Sequence, residues 1–312
     1  MVDGRKSAGG AADAGVATRD PLAVFEAERG LLFAVAYRML GRVGDAEDVV
    51  QECWPRWAAA DHARIREPRA FLVRVVSRLA LDRLRRIAAL RETYVGSWLP
   101  EPLPADRARF PAEAPDGADR AMAAETVSYA VLVVMESLSP LERAVFVLRE
   151  AFGLPHAEIA EALGRDEAAV RQLATRARRH MAERRPRYTV DPAEQRDLTR
   201  RFLAAAVEGD LAGLLALLAP DADLVTDRGR LGKGPVRVIA GADPVARFIT
   251  GIAGRPPAGV AVGELACNGG SALLATLDGR PYSVFLLDTA GGLIRRIQLL
   301  SNPEKLTHLG AV

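Results

Sequence analysis

The fifteen residues from His156 to Val170, HAEIAEALGRDEAAV, constrain the fold more than any other stretch of this chain. Ala160, Gly164 and Val170 stand at the intervals that two short helices crossing over a tight turn require. Alanine lets the helices approach, glycine takes the positive φ of the turn, and Val170 with Leu173 pins the second helix against the first. Ile159 and Leu163 supply the apolar contacts between them. Pro155 suits the first turn of the leading helix, and Asp166 suits the N-cap of the second. Arg171, Arg176, Arg178, Arg179, Arg184, Arg185 and Arg187 follow, a density of fixed positive charge that phosphate recognition needs. An ordinary helical hairpin with a solvated basic face would show either feature alone. The two together predict a helix-turn-helix that reads DNA. Because Val170 and Leu173 face inward, Ala168, Arg171, Gln172 and Thr175 share the outer face. Arg171, Gln172 and Arg176 are expected to enter the major groove, where arginine makes bidentate contacts to guanine.

Length and composition bound the rest. A chain of 312 residues is long for one core and implies two or three units. Hydrophobic residues at 49% and charged residues at 26% are those of a soluble globular protein. With a net charge of only +2, any nucleic-acid site must be a local basic patch. Lys6, Lys233 and Lys305 are the only lysines, so the positive charge is nearly all arginine, which favours rigid bidentate contacts. Cys53 and Cys267 lie far apart and form no CxxC pair, which argues against disulfide frameworks and metal sites and fits a reducing compartment. The first twenty residues contain no apolar core of a signal peptide, and no apolar run approaches about 18 residues. A cytoplasmic protein without membrane contact or cofactor is expected.

Along the chain, residues 1–19 are rich in Gly, Ala and Asp without periodicity and predict a disordered tail. Residues 20–95 predict three amphipathic helices. The first opens at Asp20–Pro21, buries Leu22, Phe25, Leu32, Val35, Ala36 and Met39, and ends at Gly41. The second opens at Gly44–Asp45 and buries Ala46, Val49, Val50, Cys53, Trp54 and Trp57, with Glu47, Asp48, Gln51 and Glu52 opposite. Pro55 lies inside it, where proline costs about 3 kcal/mol, so a kink or restart is expected. The third opens at Glu67–Pro68, buries Phe71, Leu72, Val75, Val76, Leu79, Leu84 and Ile87, and carries Arg74, Arg78, Arg85 and Arg86 on its other side with Asp82 among them. Nothing else nearby but Glu92 balances those arginines.

Residues 96–121 read as a proline-rich extended linker containing WLPEPL, Trp98 to Leu103. An exposed tryptophan there wastes apolar area, so Trp98 is expected to dock on another part of the molecule. Residues 122–188 form the helix-turn-helix domain, opened by an apolar helix at 122–137 and a restart at Ser139–Pro140. From residue 192 to 312 the pattern changes to two helices, the segment DADLVTD, a helix near 243–253 and strand candidates at 259–267, 271–278, 281–289 and 293–301. Turn signals such as Asn268-Gly269 and Asp278-Gly279 predict an antiparallel meander. The fold class is therefore multidomain: two all-α units, a three-helix bundle and a helix-turn-helix, then an α+β unit able to enclose a pocket.

These blocks, in this order, resemble bacterial RNA polymerase sigma factors of the extracytoplasmic-function (ECF) group. GRVGDAEDVVQECW (41–54) is similar to region 2.2, which docks on core polymerase. The resemblance implies that Asp45, Glu47, Asp48, Gln51 and Glu52 bind there. PRAFLVRVVSRLALDRLRR (68–86) is similar to the segment that opens and reads the −10 element, implying roles for Arg74, Arg78, Asp82, Arg85 and Arg86. Residues 138–181 resemble region 4, which places Ala168, Arg171, Gln172, Thr175, Arg176, Arg178 and Arg179 on the −35 element. WLPEPL, a C-terminal unit of SnoaL-like type and NPEKL near the end resemble the subgroup in which that unit regulates the sigma factor in cis and no separate anti-sigma factor is needed. Trp98, Leu99, Pro100, Glu101, Pro102 and Leu103 are then expected to meet Asn302, Pro303, Glu304, Lys305 and Leu306. The chain departs from that subgroup at TDRGRLGKG (226–234), in place of a glycine-rich aspartate motif, and at Pro55.

Two other functions stay open at this level. A stand-alone helix-turn-helix regulator would bind duplex operator without polymerase, but has no use for the acidic helix. A DNA-tethered SnoaL-like enzyme would need acid–base residues in its pocket. His308 lies beyond the last strand, and Asp223, Asp227 and Tyr282 are pocket candidates without the spacing of a catalytic pair. No catalytic residues are assigned. A regulatory unit taking an unidentified small-molecule ligand is the expectation, with core RNA polymerase and promoter DNA as partners.

Overall fold

The computed structural model describes residues 20–91, 94, 96–106, 128–184 and 191–309. The expected disordered tail at 1–19, most of the proline-rich segment, and Arg185 and Arg187 lie outside them.

Local chemistry sets the helices. Helix α1 (Pro21–Leu40) starts where the Asp20 carboxylate accepts from the Leu22 amide at 3.1 Å, and ends at Gly41, whose φ of 69° lets its amide reach the Tyr37 carbonyl at 2.7 Å. Helices α2 (Val43–Ala58) and α3 (Pro68–Arg91) complete the first bundle. Phe25, Leu32, Val35, Val49, Cys53, Trp57, Leu72, Val76 and Leu84 fill its core. Leu22, expected on the buried face, is half exposed, because the core begins one turn further in at Phe25. Pro55 causes no restart: α2 runs on to Ala58, and the proline sits exposed in its last turn.

Among the described residues four further helices follow, α4 (Tyr129–Met135), α5 (Pro140–Phe146, continued by a wide turn at Val147–Ala151), α6 (His156–Leu163) and α7 (Glu167–Arg184). Ser139 and Glu142 close a reciprocal capping box on α5. The apolar core of these helices is continuous with that of α1–α3: Leu132, Met135, Val145, Leu148, Ile159 and Val170 belong to the same cluster. Arg143, 1% exposed, crosses between the bundles, donating to the Arg38 carbonyl at 3.2 Å and pairing with Glu136 at 2.7 Å.

The C-terminal unit sets α8 (Pro192–Glu208), α9 (Leu211–Leu217) and α10 (Ala242–Ala253) against one mixed sheet. Its strands β1 (Leu218–Asp227), β2 (Ile239–Ala240), β3 (Val260–Cys267), β4 (Gly270–Leu277), β5 (Arg280–Ala290) and β6 (Leu293–Leu300) run in the order β2-β1-β6-β5-β4-β3. β3 to β6 form the expected antiparallel meander, with Asn268-Gly269 and Asp278-Gly279 all at positive φ in its turns. β1 lies parallel to β6, which the turn signals did not foretell, because the pairing joins the first long strand of the unit to the last. Leu224, Leu273, Leu287 and Ile297 point into the helical layer with Phe202, Leu214 and Ile249. Alternate residues Leu274, Val284, Leu286 and Leu300 point the other way and meet Leu99, Tyr129 and Leu306. The sheet is therefore covered on both sides, by its own helices and by the rest of the chain.

Candidate nucleic-acid and polymerase interface

The helix-turn-helix forms as its residues require. Gly164, at φ 62°, ends α6 in the left-handed region, and the Arg165 amide reaches back to the Ala160 carbonyl at 2.9 Å. Ile159, Ala160, Leu163, Val170 and Leu173 are buried between α6 and α7. Ala168, Arg171, Gln172, Thr175, Arg176, Arg178 and Arg179 are all exposed on the outer side of α7. Four of these are held in ion pairs: Arg171 with Glu167 at 2.6 Å, Arg176 with Glu142 at 3.4 Å, Arg178 with Glu150 at 2.7 Å and Arg179 with Glu183 at 3.9 Å. Pairs this exposed contribute roughly 0.2–1 kcal/mol, so a phosphate or base edge displaces the carboxylate at little cost.

On α2, Glu47, Asp48, Gln51 and Glu52 are exposed and Asp45 is half buried. Sequence reasoning missed the residue at their centre. Arg83, from α3, bonds Asp45 at 2.7 Å and Glu52 at 2.9 Å and approaches Asp48 at 3.5 Å. Burial alone would lower the pKa of Arg83, but its bonds to Glu52 and Asp45 hold it above the ordinary arginine value. Arg42 also pairs with Asp45, at 3.1 Å, so two cations meet four carboxylates and the acidic face keeps a net negative charge.

The basic residues of α3 are less free than expected. Arg74 pairs with Glu161 at 2.6 Å, and Arg78 donates to the carbonyls of Ala162 at 2.7 Å and Glu161 at 2.8 Å, at the C-terminal end of α6. Arg85 pairs with Asp82 at 3.0 Å. The balancing groups come from the helix-turn-helix 83 and 84 residues away, so no local reading of α3 finds them. Arg85, Arg86 and Asp82 remain exposed.

The WLPEPL segment is a junction. Leu99, Glu101 and Leu103 are each no more than 3% exposed, and the intervening prolines are buried. The Glu101 carboxylate accepts from the Val43 amide at 2.7 Å, capping α2, pairs with Arg42 at 2.9 Å and lies 3.7 Å from the His308 ring. Tyr37 donates to the Glu101 carbonyl at 2.7 Å and receives the Asn268 amide at 2.9 Å, and burial raises its pKa. Asn268 in turn accepts from the Leu103 amide at 2.8 Å. Three parts of the chain thus share one buried hydrogen-bond chain.

Lys305 lies 3.5 Å from the centre of the Trp98 ring, bonds the Leu99 carbonyl at 2.5 Å and pairs with Asp227 at 2.7 Å. Burial lowers the pKa of Lys305, and Asp227 opposes that shift. Asp227, expected in a pocket, is instead fully buried on the side of the sheet away from the helices. There it also accepts from the Leu99 amide at 2.8 Å and from Tyr94. Burial and that bond to Asp227 raise the pKa of Tyr94, which also receives the Asn302 amide at 2.8 Å. Tyr94 gave no signal in the sequence. Pro303 to Lys305 form a short 3-10 turn capped by Asn302, with Glu304 donating its amide to the Asn302 side chain at 3.1 Å, and Leu306 is buried. Tyr282 is half buried on β5, and no bond among the described residues joins it to Asp227. Asp223 forms a bidentate pair with Arg296 at 2.6 Å.

A Sigma-70 region 2 family model matches residues 24–89, and a Sigma-70, region 4 model matches residues 128–181. The ECF RNA polymerase sigma factor SigJ of Mycobacterium tuberculosis H37Rv is 40% identical over 295 residues, 91% of this chain and 92% of that protein. A probable ECF RNA polymerase sigma factor, SigI of M. tuberculosis CDC 1551, is 36% identical over 94% of this chain and 97% of its own length. The crystal structure of M. tuberculosis SigJ aligns with a TM-score of 0.69 at 37% identity, covering 92% of this chain and 98% of that one. With the helix-turn-helix, the acidic helix and the sheet unit in the same order, this chain belongs to the extracytoplasmic-function RNA polymerase sigma factors.

Proposed function

We propose that this protein is an alternative sigma subunit that binds core RNA polymerase, directs it to promoters with −10 and −35 elements, and is regulated in cis by its SnoaL-like unit. Asp45, Glu47, Asp48, Gln51 and Glu52 on α2 meet polymerase. Arg74, Arg78, Asp82, Arg85 and Arg86 on α3 serve the −10 element, and the exposed face of α7 serves the −35 element. The observation that carries this reading is one chain presenting both an exposed acidic helix and an exposed recognition helix, on bundles that share one apolar core. In cis control is supported by the same junction, because Trp98 to Leu103 touch the first bundle and the sheet unit at once. We assign no separate anti-sigma factor and no enzymatic role, since Asp227 is committed to Lys305 and Tyr94. The protein works where chromosome and polymerase are, in the cytoplasm. Among the described residues no helix is long and apolar enough to cross a membrane.

Run-off transcription on genomic fragments tests the proposal. Core polymerase with the full chain should give discrete transcripts, and core alone none. Tight binding to a palindromic duplex without core, and no transcript with it, would establish the stand-alone regulator instead.

A further inference from the structure

Between Arg228 and Ala242 the chain carries four cations, Arg228, Arg230, Lys233 and Arg237, and no carboxylate. Arg230, Lys233 and Arg237 are exposed, and no ion pair or side-chain hydrogen bond joins them to other described residues. Elsewhere, Arg74, Arg85, Arg171, Arg176, Arg178 and Arg179 on the proposed DNA faces each hold a carboxylate. The loop is also built to stay in place. The Ser301 hydroxyl donates to the Lys233 carbonyl at 2.5 Å, and the Gly232 amide reaches the Arg228 carbonyl at 2.8 Å. A Cβ on Gly232 would lie 2.2 Å from the Ser301 carbonyl oxygen, so only glycine allows this approach. Gly229 and Gly234 take φ of 57° and 124°.

The position matters as much as the charge. The loop follows Asp227, which holds Tyr94, three residues beyond the end of α3 at Arg91. At about 1.5 Å per helical residue and about 3.4 Å per extended one, with the Tyr94 and Asp227 side chains added, the loop begins within about 35 Å of Arg86. That is about ten base pairs at 3.4 Å each. The loop therefore lies within about one turn of duplex of the exposed α3 arginines. We propose that the 228–238 loop is a further promoter-binding surface, with Arg230, Lys233 and Arg237 gripping the phosphate backbone beside the −10 contacts without reading sequence. This rests on the sigma-factor reading above, and it makes the appended unit a DNA-contacting part of the holoenzyme. Leu231, Val236 and Val238 are exposed beside the cations, and an acidic protein surface on polymerase is the competing occupant that the test separates.

The test measures binding of reconstituted holoenzyme to a promoter fragment selected from genomic DNA, across 50–200 mM salt. Each phosphate contact steepens the log–log slope by about 0.9, so a triple Arg230→Ala, Lys233→Ala, Arg237→Ala variant should lose about 2.7 from it. Its affinity loss over that salt range should shrink about 40-fold, with the preferred −10 and −35 bases unchanged. Arg230→Lys with Arg237→Lys keeps the charge and should restore the wild-type slope. An unchanged slope in the triple variant overturns the inference. So does weakened capture of core polymerase in the absence of DNA, which would assign the loop to a protein surface. Wild-type holoenzyme that retains no fragment at all overturns the sigma reading as well.

Discussion

Arg171 and Glu167 stand one turn apart on α7, joined at 2.6 Å with both side chains largely in solvent. Such a pair orients the guanidinium without holding it, whereas a bidentate contact to guanine discriminates by about 1–3 kcal/mol. Arg171→Ala should therefore relax base preference at one or two −35 positions, measured by selection from a randomised −35 library. A uniform loss across all sequences would make Arg171 a phosphate contact only. The opposite regime holds at Lys305 and Asp227, both no more than 1% exposed. Removing one partner there leaves a buried charge uncompensated, which costs about 3–5 kcal/mol. Lys305→Met should lower the urea midpoint strongly, while Lys305→Met combined with Asp227→Asn should recover much of the loss. Two independent, additive losses would show that the pair is not coupled.

Among the elements, what was legible in the sequence was what is decided within a turn or two. Asp20, Ser139, Gly41 and Gly164 mark helix ends because capping is a contact between near neighbours. The meander was legible for the same reason, through Asn268-Gly269 and Asp278-Gly279. Arg83 amid the acidic face, Glu101 at the start of α2 and β1 beside β6 were not, since each partner lies tens of residues away. Arg83 also shapes the test of the polymerase surface. Asp48→Asn with Glu52→Gln removes charge without setting a lysine against that arginine, so stability should change by less than about 1 kcal/mol. Pull-down of core polymerase should nonetheless fall sharply, and retention at wild-type level would remove α2 from the interface. The contact of α3 with α6 makes a different prediction. Glu161→Ala frees Arg74, and an exposed pair of about 1 kcal/mol corresponds to roughly five-fold in affinity. Free protein should then bind a single-stranded −10 oligonucleotide several-fold more tightly by fluorescence anisotropy. Unchanged binding would mean that the closed contact does not compete with DNA.

For the whole molecule, Trp98 and the 302–306 turn should behave as one device, because Lys305 sits on the indole and bonds the next residue's carbonyl. Trp98→Ala and deletion of 302–312 should each alter promoter-directed run-off transcription, and the double change should be no worse than either alone. Additive defects would place Trp98 in a separate role. The site as a whole was half legible: Trp98 and Lys305 stand in recognisable segments, whereas Asp227, Tyr94, Tyr37 and Asn268 acquire their roles only when remote parts of the chain converge. That convergence has a temporal side. Lys305 bonds a carbonyl 206 residues earlier, and at roughly 5–20 residues per second of synthesis about 10–40 s separate the two on the ribosome. Helices α2 and α7 leave the exit tunnel well before the residues that fasten the junction. Each newly made molecule thus passes through an interval as an unfastened two-domain sigma factor, and the 302–306 turn ends that interval.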